Sequence, residues 1–167
     1  MKLLIVRHGQ AGDRERFAAA GQPDELRPLT KEGAREMKAI ARALHRVVAT
    51  IDTLATSPLV RARQTADVIA KEYGASIVET AALEPGSRFE AFEAWARRGA
   101  TGTVTAVVGH EPHLSGLVAW LVGDAGDARL ELKKAGACLL EFDGLPTRGS
   151  GTLRWLLSPG VIRRLRD

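Results

Sequence analysis

The sequence predicts a three-layer α/β/α sandwich around a mostly parallel, mixed sheet that ends in a C-terminal hairpin. Short apolar runs alternate with stretches of helical periodicity, the pattern of a sheet covered on both faces. Two of those runs, Leu3-Leu4-Ile5-Val6 and Val104-Thr105-Ala106-Val107-Val108, pass directly into histidine-bearing turns, Arg7-His8-Gly9 and Gly109-His110-Glu111-Pro112. Near the end, the apolar runs 137–142 and 153–157 flank a turn rich in Gly and Pro, which reads as a hairpin and makes one strand antiparallel to its neighbour.

Leu3 to Val6 forms the first buried strand. The first helix follows Leu29-Thr30, where Thr30 can cap, and Met37, Ile40, Ala41, Leu44, Val47 and Val48 keep helical spacing. Residues 52–56 read as a weaker second strand. Ser57-Pro58 then supplies an N-cap followed by proline at the first helical position, opening a helix that runs to Tyr73 and stops at Gly74. Its predicted buried stripe is Ala62, Thr65, Ala66 and Ile69. A third strand around Ser76-Ile77-Val78 leads into a loop with Glu84-Pro85-Gly86, after which Phe89, Phe92 and Trp95 mark a short helix. The strand ending at Val108 comes next. Leu114, Leu117, Val118, Leu121 and Val122 then give an amphipathic helix closed by Gly123.

With 167 residues, 45% hydrophobic and 26% charged, the chain fits one ordinary globular domain over residues 1–167. The apolar start stops at Arg7, short of a signal-peptide core, and no later run is long enough to span a membrane. Cys138, the single cysteine, lies in an apolar run and reads as a small core residue. The cytoplasm is the expected compartment. The net charge of +4 comes from scattered basic residues without aromatic interleaving, so nucleic acid is not an expected partner and an anionic substrate fits the mild excess. The densest basic cluster, Arg163, Arg164 and Arg166, reads as a solvated tail.

Three strand-to-helix junctions converge on one edge of such a sheet: Arg7-His8-Gly9, Ser57-Pro58-Leu59-Val60-Arg61 and Gly109-His110-Glu111-Pro112. Open α/β sheets keep their chemistry at the carboxyl ends of the strands. Guanidinium forks match phosphate oxygens, and Arg61 lies in the first turn of a helix whose N-terminus itself favours anions. The implied pocket suits a phosphoryl group. The sequence carries no nucleotide-binding GxxxxGK[ST] loop, no cysteine in a phosphate loop and no carboxylate and histidine cluster with metal-ligand spacing. An imidazole is therefore the best nucleophile available, and nearby arginines disfavour its protonated form. The residues leave open which of His8 and His110 attacks.

Arg7-His8-Gly9, Leu29-Thr30 with Gly33, Ser57-Pro58 followed by Arg61, Ala62, Gln64 and Thr65, and Gly109-His110 occur in the order found in the histidine phosphatase superfamily, and the chain resembles that phosphoglycerate-mutase-like family from Met1 to about its end. The segment from Gly109 to Ser115, Lys133-Lys134-Ala135-Gly136 and Leu157-Ser158-Pro159 are most similar to the SixA-type protein phosphohistidine phosphatases. The resemblance implies that His8 accepts the phosphoryl group, that Arg7, Arg61 and His110 bind it and stabilise the transition state, and that water hydrolyses the phosphohistidine. It implies no cofactor and no metal. A tight Arg-His-Gly turn, with Gly9 allowing a ligand close access, agrees with His8 as the nucleophile.

Mutase-like relatives carry an acid in the loop after the third strand, where Glu84 stands in this chain without a local match to their pattern. Glu84 is accordingly the candidate acid, with a solvated loop carboxylate as the alternative. Gln10 and His113 are candidates for substrate contact. For Gln10 the alternative is turn capping, and for His113 a structural role. Arg63 is expected on another helix face in a solvent salt bridge, and Lys133 and Lys134 as solvated residues before a strand. Only the stretch from Ala11 to Arg27 and the loop from Glu84 to about Arg98 could cover the pocket, and an open pocket suits a protein substrate such as a histidine-phosphotransfer domain. The competing readings are a small-molecule phosphomonoesterase or mutase with the same chemistry, and a phosphoprotein-binding module without turnover.

Overall fold

Leu3, Leu4, Ile5 and Val6 are all fully buried, and alternate side chains enter different cores, Leu4 and Val6 on one face and Leu3 and Ile5 on the other. A strand this apolar belongs in the middle of a sheet. The structure, a computed structural model, describes residues 1–123 and 129–165, so Arg166 of the basic C-terminal cluster lies outside the described residues. Strands β1 (Lys2–Arg7), β2 (Thr53–Thr56), β3 (Ile77–Glu79), β4 (Val104–Gly109), β5 (Ala137–Glu141) and β6 (Thr152–Leu157) form one sheet in the order β3-β2-β4-β1-β5-β6. The first four in that order are mutually parallel, and β5 runs antiparallel to both β1 and β6.

The helices are α1 (Arg14–Ala19), α2 (Lys31–Val47), α3 (Val60–Tyr73), α4 (Phe89–Gly99), α5 (His113–Gly123) and α6 (Pro159–Ile162). Met37, Ile40 and Leu44 of α2, Ala62, Ala66 and Ile69 of α3, and Ile162 of α6 pack on the face that carries Leu4 and Val6. Phe92 and Ala96 of α4 with Leu114, Leu117, Val118 and Leu121 of α5 pack on the opposite face. The three-layer fold is the one expected, including the terminal hairpin. Helices α2 and α5, which follow the adjacent strands β1 and β4, go to opposite faces and open a crevice at the carboxyl ends of those strands.

Local expectations differ from the structure in informative places. Thr30 caps α2 by accepting the Gly33 N–H at 2.9 Å, as its chemistry suggests. Val47, predicted in the apolar stripe, is exposed at the end of α2, while Val48 beyond the helix turns into the core. Ser57 is not a helix cap: α3 starts at Val60 after an extended Leu59, and Ser57 is drawn into the sheet edge by its N–H bond to Val108 O at 3.0 Å. The stretch from Ala11 to Arg27 is partly helical, with α1 capped by Asp13 and a 3₁₀ turn over Asp24–Leu26. Cys138 is buried as expected. Among the described residues no helix is long and apolar enough to cross a membrane.

Gly33 marks the closest backbone approach in this layer, because a Cβ there would lie 2.1 Å from the Gln10 carbonyl oxygen. The N-terminal turn of α2 thus rests on the loop that follows β1. Gly33→Ala must push that loop away, and we expect a loss of about 1–3 kcal/mol, as for other overpacked sites, read as a lower denaturation midpoint in urea. An unchanged midpoint would show that the contact is loose.

Candidate active site

The parallel register pairs Arg7 with Gly109 and Thr56 with Val108, so the chain leaves β1, β4 and β2 at one level. Backbone bonds continue the ladder past the strand ends: His8 N–H donates to Gly109 O at 3.1 Å, and Arg7 N–H donates to Gly136 O at 3.0 Å. His8 and His110 consequently face each other with ring centroids 5.0 Å apart, and both are buried. Around them opens a cleft of about 420 Å³ whose walls include Arg7, Arg61, Gln10, Asp24, Arg27, Glu111 and Lys134.

His8 Nδ1 lies 2.7 Å from Gly9 O. A carbonyl can only accept, so Nδ1 carries the proton and Nε2 keeps its lone pair. Burial, with Arg61, Arg7 and Arg27 adding their fields against the bond to Gly9 O, pushes the imidazole down to about 4. His110 is pushed lower, to about 3, by burial first and then by His8 and Arg61. Its Nε2 is 2.9 Å from Ser57 Oγ, and its Nδ1 has no hydrogen-bond partner among the described residues. Both rings are neutral at physiological pH.

The loop after β1 is fixed from several sides. Gly9 N–H donates to Thr65 Oγ1 at 3.1 Å, and the Thr65 hydroxyl donates to Arg61 O at 2.8 Å, tying the first turn of α3 to the residue after His8. Gln64 Oε1 accepts the Leu29 N–H at 2.8 Å. A Cβ on Gly9 would meet Met37 Cγ at 2.7 Å, so this turn takes only glycine without displacement. Arg7 donates through Nη1 to Leu132 O at 2.7 Å, which anchors its fork against the segment before β5. Arg61 donates through Nη1 to Asp24 O at 2.8 Å and through Nη2 to Asp24 Oδ2 at 3.0 Å.

Arg7, His8, Arg61 and His110 therefore share one cleft, and Gln10 lies on its wall. Glu84 does not line it; its neighbour Pro85 does. His113 lies outside it as well. The residue is 5% exposed, its ring packs at a tilt on Phe89 with centroids 5.4 Å apart, and it bonds the backbone of Ala82, because the first turn of α5 points it under the loop after β3 and not at the crevice. Lys134, expected to be solvated, is on the cleft wall. Arg63 pairs outward with Asp67 at 3.1 Å and Glu79 at 2.5 Å, as expected.

The sequence marks the stretch from Ala11 to Arg27 as a possible cover for the pocket but singles out none of its side chains. Asp13, Arg14, Asp24 and Arg27 all reach the cleft. The available signal was the run Asp24-Glu25-Leu26-Arg27, whose i,i+3 charges form the Arg27 Nε to Asp24 Oδ1 bond at 2.8 Å. Among the described residues no three His, Cys, Asp or Glu side chains group to hold a metal ion. The cations at the cleft are guanidinium and ammonium groups, which can hold an oxyanion in front of a neutral imidazole.

The model of the histidine phosphatase superfamily (branch 1) matches residues 3–85. An uncharacterized protein of Picosynechococcus sp. is 36% identical over 139 residues, covering 81% of this chain and 82% of the relative. The protein histidine phosphatase SixA, solved in complex with tungstate, superposes with a TM-score of 0.80 at 25% identity, covering 97% of this chain and 99% of that one. The alpha-ribazole phosphatase from Shigella flexneri has the same fold, with a TM-score of 0.74 at 18% identity over 95% of this chain and 97% of its own. With its ordered motifs gathered at one sheet edge and this fold around them, the chain belongs to the histidine phosphatase superfamily.

Proposed function

We propose that the chain is a single-domain, metal-independent cytoplasmic phosphatase that works through phosphohistidine on His8 and acts on phosphohistidine carried by another protein, such as a histidine-phosphotransfer domain. The observation that carries the reading is the tautomer of His8: Nδ1–H is spent on Gly9 O, which leaves the Nε2 lone pair at a cleft lined by arginines. Such a group attacks phosphorus without first losing a proton. The resemblance to SixA supports the choice of substrate.

Phosphoryl transfer asks the protein chiefly for alignment and for positive charge on the equatorial oxygens. Arg7 and Arg61, each braced by a backbone carbonyl, supply fixed donors, and His110 adds a neutral ring beside the transferring group. The bond from Nε2 to phosphorus forms as the substrate's bond to phosphorus breaks. Water then attacks the phosphorus of phospho-His8 and releases inorganic phosphate, returning the lone pair to Nε2. A departing imidazole is a far weaker base than an alkoxide, so this substrate makes little demand on an acid such as Glu84.

Brief incubation with labelled substrate is expected to leave label that is labile in acid and persistent in alkali, the behaviour of a phosphoramidate, and His8→Ala is expected to abolish it. Activity should survive EDTA. Label retained in the variant, or full loss in EDTA restored by Mg²⁺, would overturn the mechanism.

Neutral His8 is the competent form, so kcat/KM, corrected for ionisation of the substrate phosphate, should stay level across the neutral range and fall as pH drops through about 4. An acid limb at the ordinary 6.5 would mean that the ring is not held down by its surroundings. The same shift acts on folding. Because the folded pKa is lowered, the unfolded chain binds the proton first, and stability declines as pH falls from 6.5 toward 4.

Arg61→Ala should lower kcat/KM on every substrate by about 3 kcal/mol or more in transition-state stabilisation. Glu84→Gln, if Glu84 acts as the acid, should slow an alkyl phosphate far more than phosphohistidine or an aryl phosphate. Equal losses on all three substrates would assign Glu84 to structure.

A further inference from the structure

Asp24 is out of keeping with a pocket for a phosphate dianion. It opens the 3₁₀ turn Asp24–Leu26, and its side chain is 29% exposed on the cleft wall. Oδ1 accepts from Arg27 Nε at 2.8 Å and lies 3.5 Å from Arg14 Nε, while Oδ2 lies 3.0 Å from Arg61 Nη2. Burial pushes this carboxyl up, but the Arg27 bond and the charges of Arg61, Arg27 and Arg14 outweigh it and keep the pKa below the usual value. Asp24 is thus a fixed anion on one of the guanidinium groups that would hold the phosphoryl oxygens. Of the other carboxylates of the cleft, Asp13 Oδ1 accepts from Arg16 N at 2.8 Å, and Glu111 Oε2 accepts from Ser115 Oγ at 2.6 Å while its Oε1 is buried out of reach, without a hydrogen-bond partner among the described residues.

Repulsion between Asp24 and a bound dianion weakens every phosphate ligand alike unless the ligand carries compensating positive charge beside its phosphorus. Protonated phosphohistidine does so, with phosphorus on one ring nitrogen and an N–H on the other. A carboxylate has about four lone-pair positions, and the arginines leave part of that capacity free.

We infer that Asp24 is a specificity-determining residue that accepts the ring N–H of a protonated phosphohistidine and so selects an imidazolium leaving group over alkyl, aryl and sugar phosphates. The inference rests on the proposed reaction at His8. In the step it governs, the His8 Nε2 lone pair forms the new N–P bond, and the electron pair of the breaking P–N bond returns to the substrate ring. Imidazole departs neutral, still carrying the N–H that Asp24 holds. No further proton is required.

The test compares wild type, Asp24→Asn and Asp24→Glu on phosphohistidine and p-nitrophenyl phosphate, with inorganic phosphate as a competitive inhibitor. Asp24→Asn should lower kcat/KM for phosphohistidine by about tenfold or more, in line with loss of a charged hydrogen bond, while raising it for p-nitrophenyl phosphate. Inhibition by phosphate should tighten in the same variant, which also reports that the pocket is folded. Asp24→Glu should restore part of the preference for phosphohistidine. Parallel losses on both substrates would mean that Asp24 only braces Arg61, parallel gains that it is only a competing anion, and no change that it is a bystander; each overturns the assignment. Wild-type enzyme that turns over p-nitrophenyl phosphate but not phosphohistidine would instead overturn the substrate reading, and this assignment with it.

Discussion

The parallel pairing of β1 with β4 sets the position of everything at the site. Because Arg7 stands opposite Gly109 and the ladder is carried one step further by His8 N–H to Gly109 O, the two histidines leave the sheet side by side. No loop flexibility intervenes between the buried strands and the rings. The rigidity of the central sheet is therefore handed directly to the imidazoles, and burial at that same edge keeps them uncharged.

The neutral rings stand beside arginines that are themselves tied down. Arg7 and Arg61 are both partly desolvated, which lowers their pKa values, and each spends a donor on a backbone carbonyl. These bonds remove rotamer freedom before any ligand arrives, so less ordering remains to be done on binding. Thr65 adds a second restraint by bonding both Gly9 N–H and Arg61 O, which makes the spacing between the turn after His8 and α3 a property of one buried hydroxyl.

Much of this was legible in the sequence because strand ends carry their own signature. An apolar run followed by Arg-His-Gly or Gly-His-Glu-Pro places chemistry at a sheet edge without further information, and Thr30 announces the start of α2. Ser57 differs because Ser-Pro is good cap chemistry, and only the neighbouring strand shows that its hydroxyl meets His110. Which side chains of residues 13–27 reach the cleft is less legible, for a related reason. Short helical turns there have little amphipathic pattern, and Asp24 in the second of them is held by an ion pair to Arg61, a residue far along the chain. For His113 the structural alternative is the one the fold favours, since closeness in sequence to His110 says nothing about direction once a helix begins there.

The central position of β1 also has a consequence for how the molecule is made. Its two neighbours, β4 and β5, come from residues 104–109 and 137–141, so this strand is made well before either of the strands it pairs with. Until then the run Leu3–Val6 has helix α2 to pack against on one face but no strand beside it, and the nascent chain carries an unpaired, strongly apolar edge. Such long-range pairing slows folding. Assembly of the arginine and histidine cluster is accordingly a late event, because His8 and His110 come together only once β1 has paired with β4.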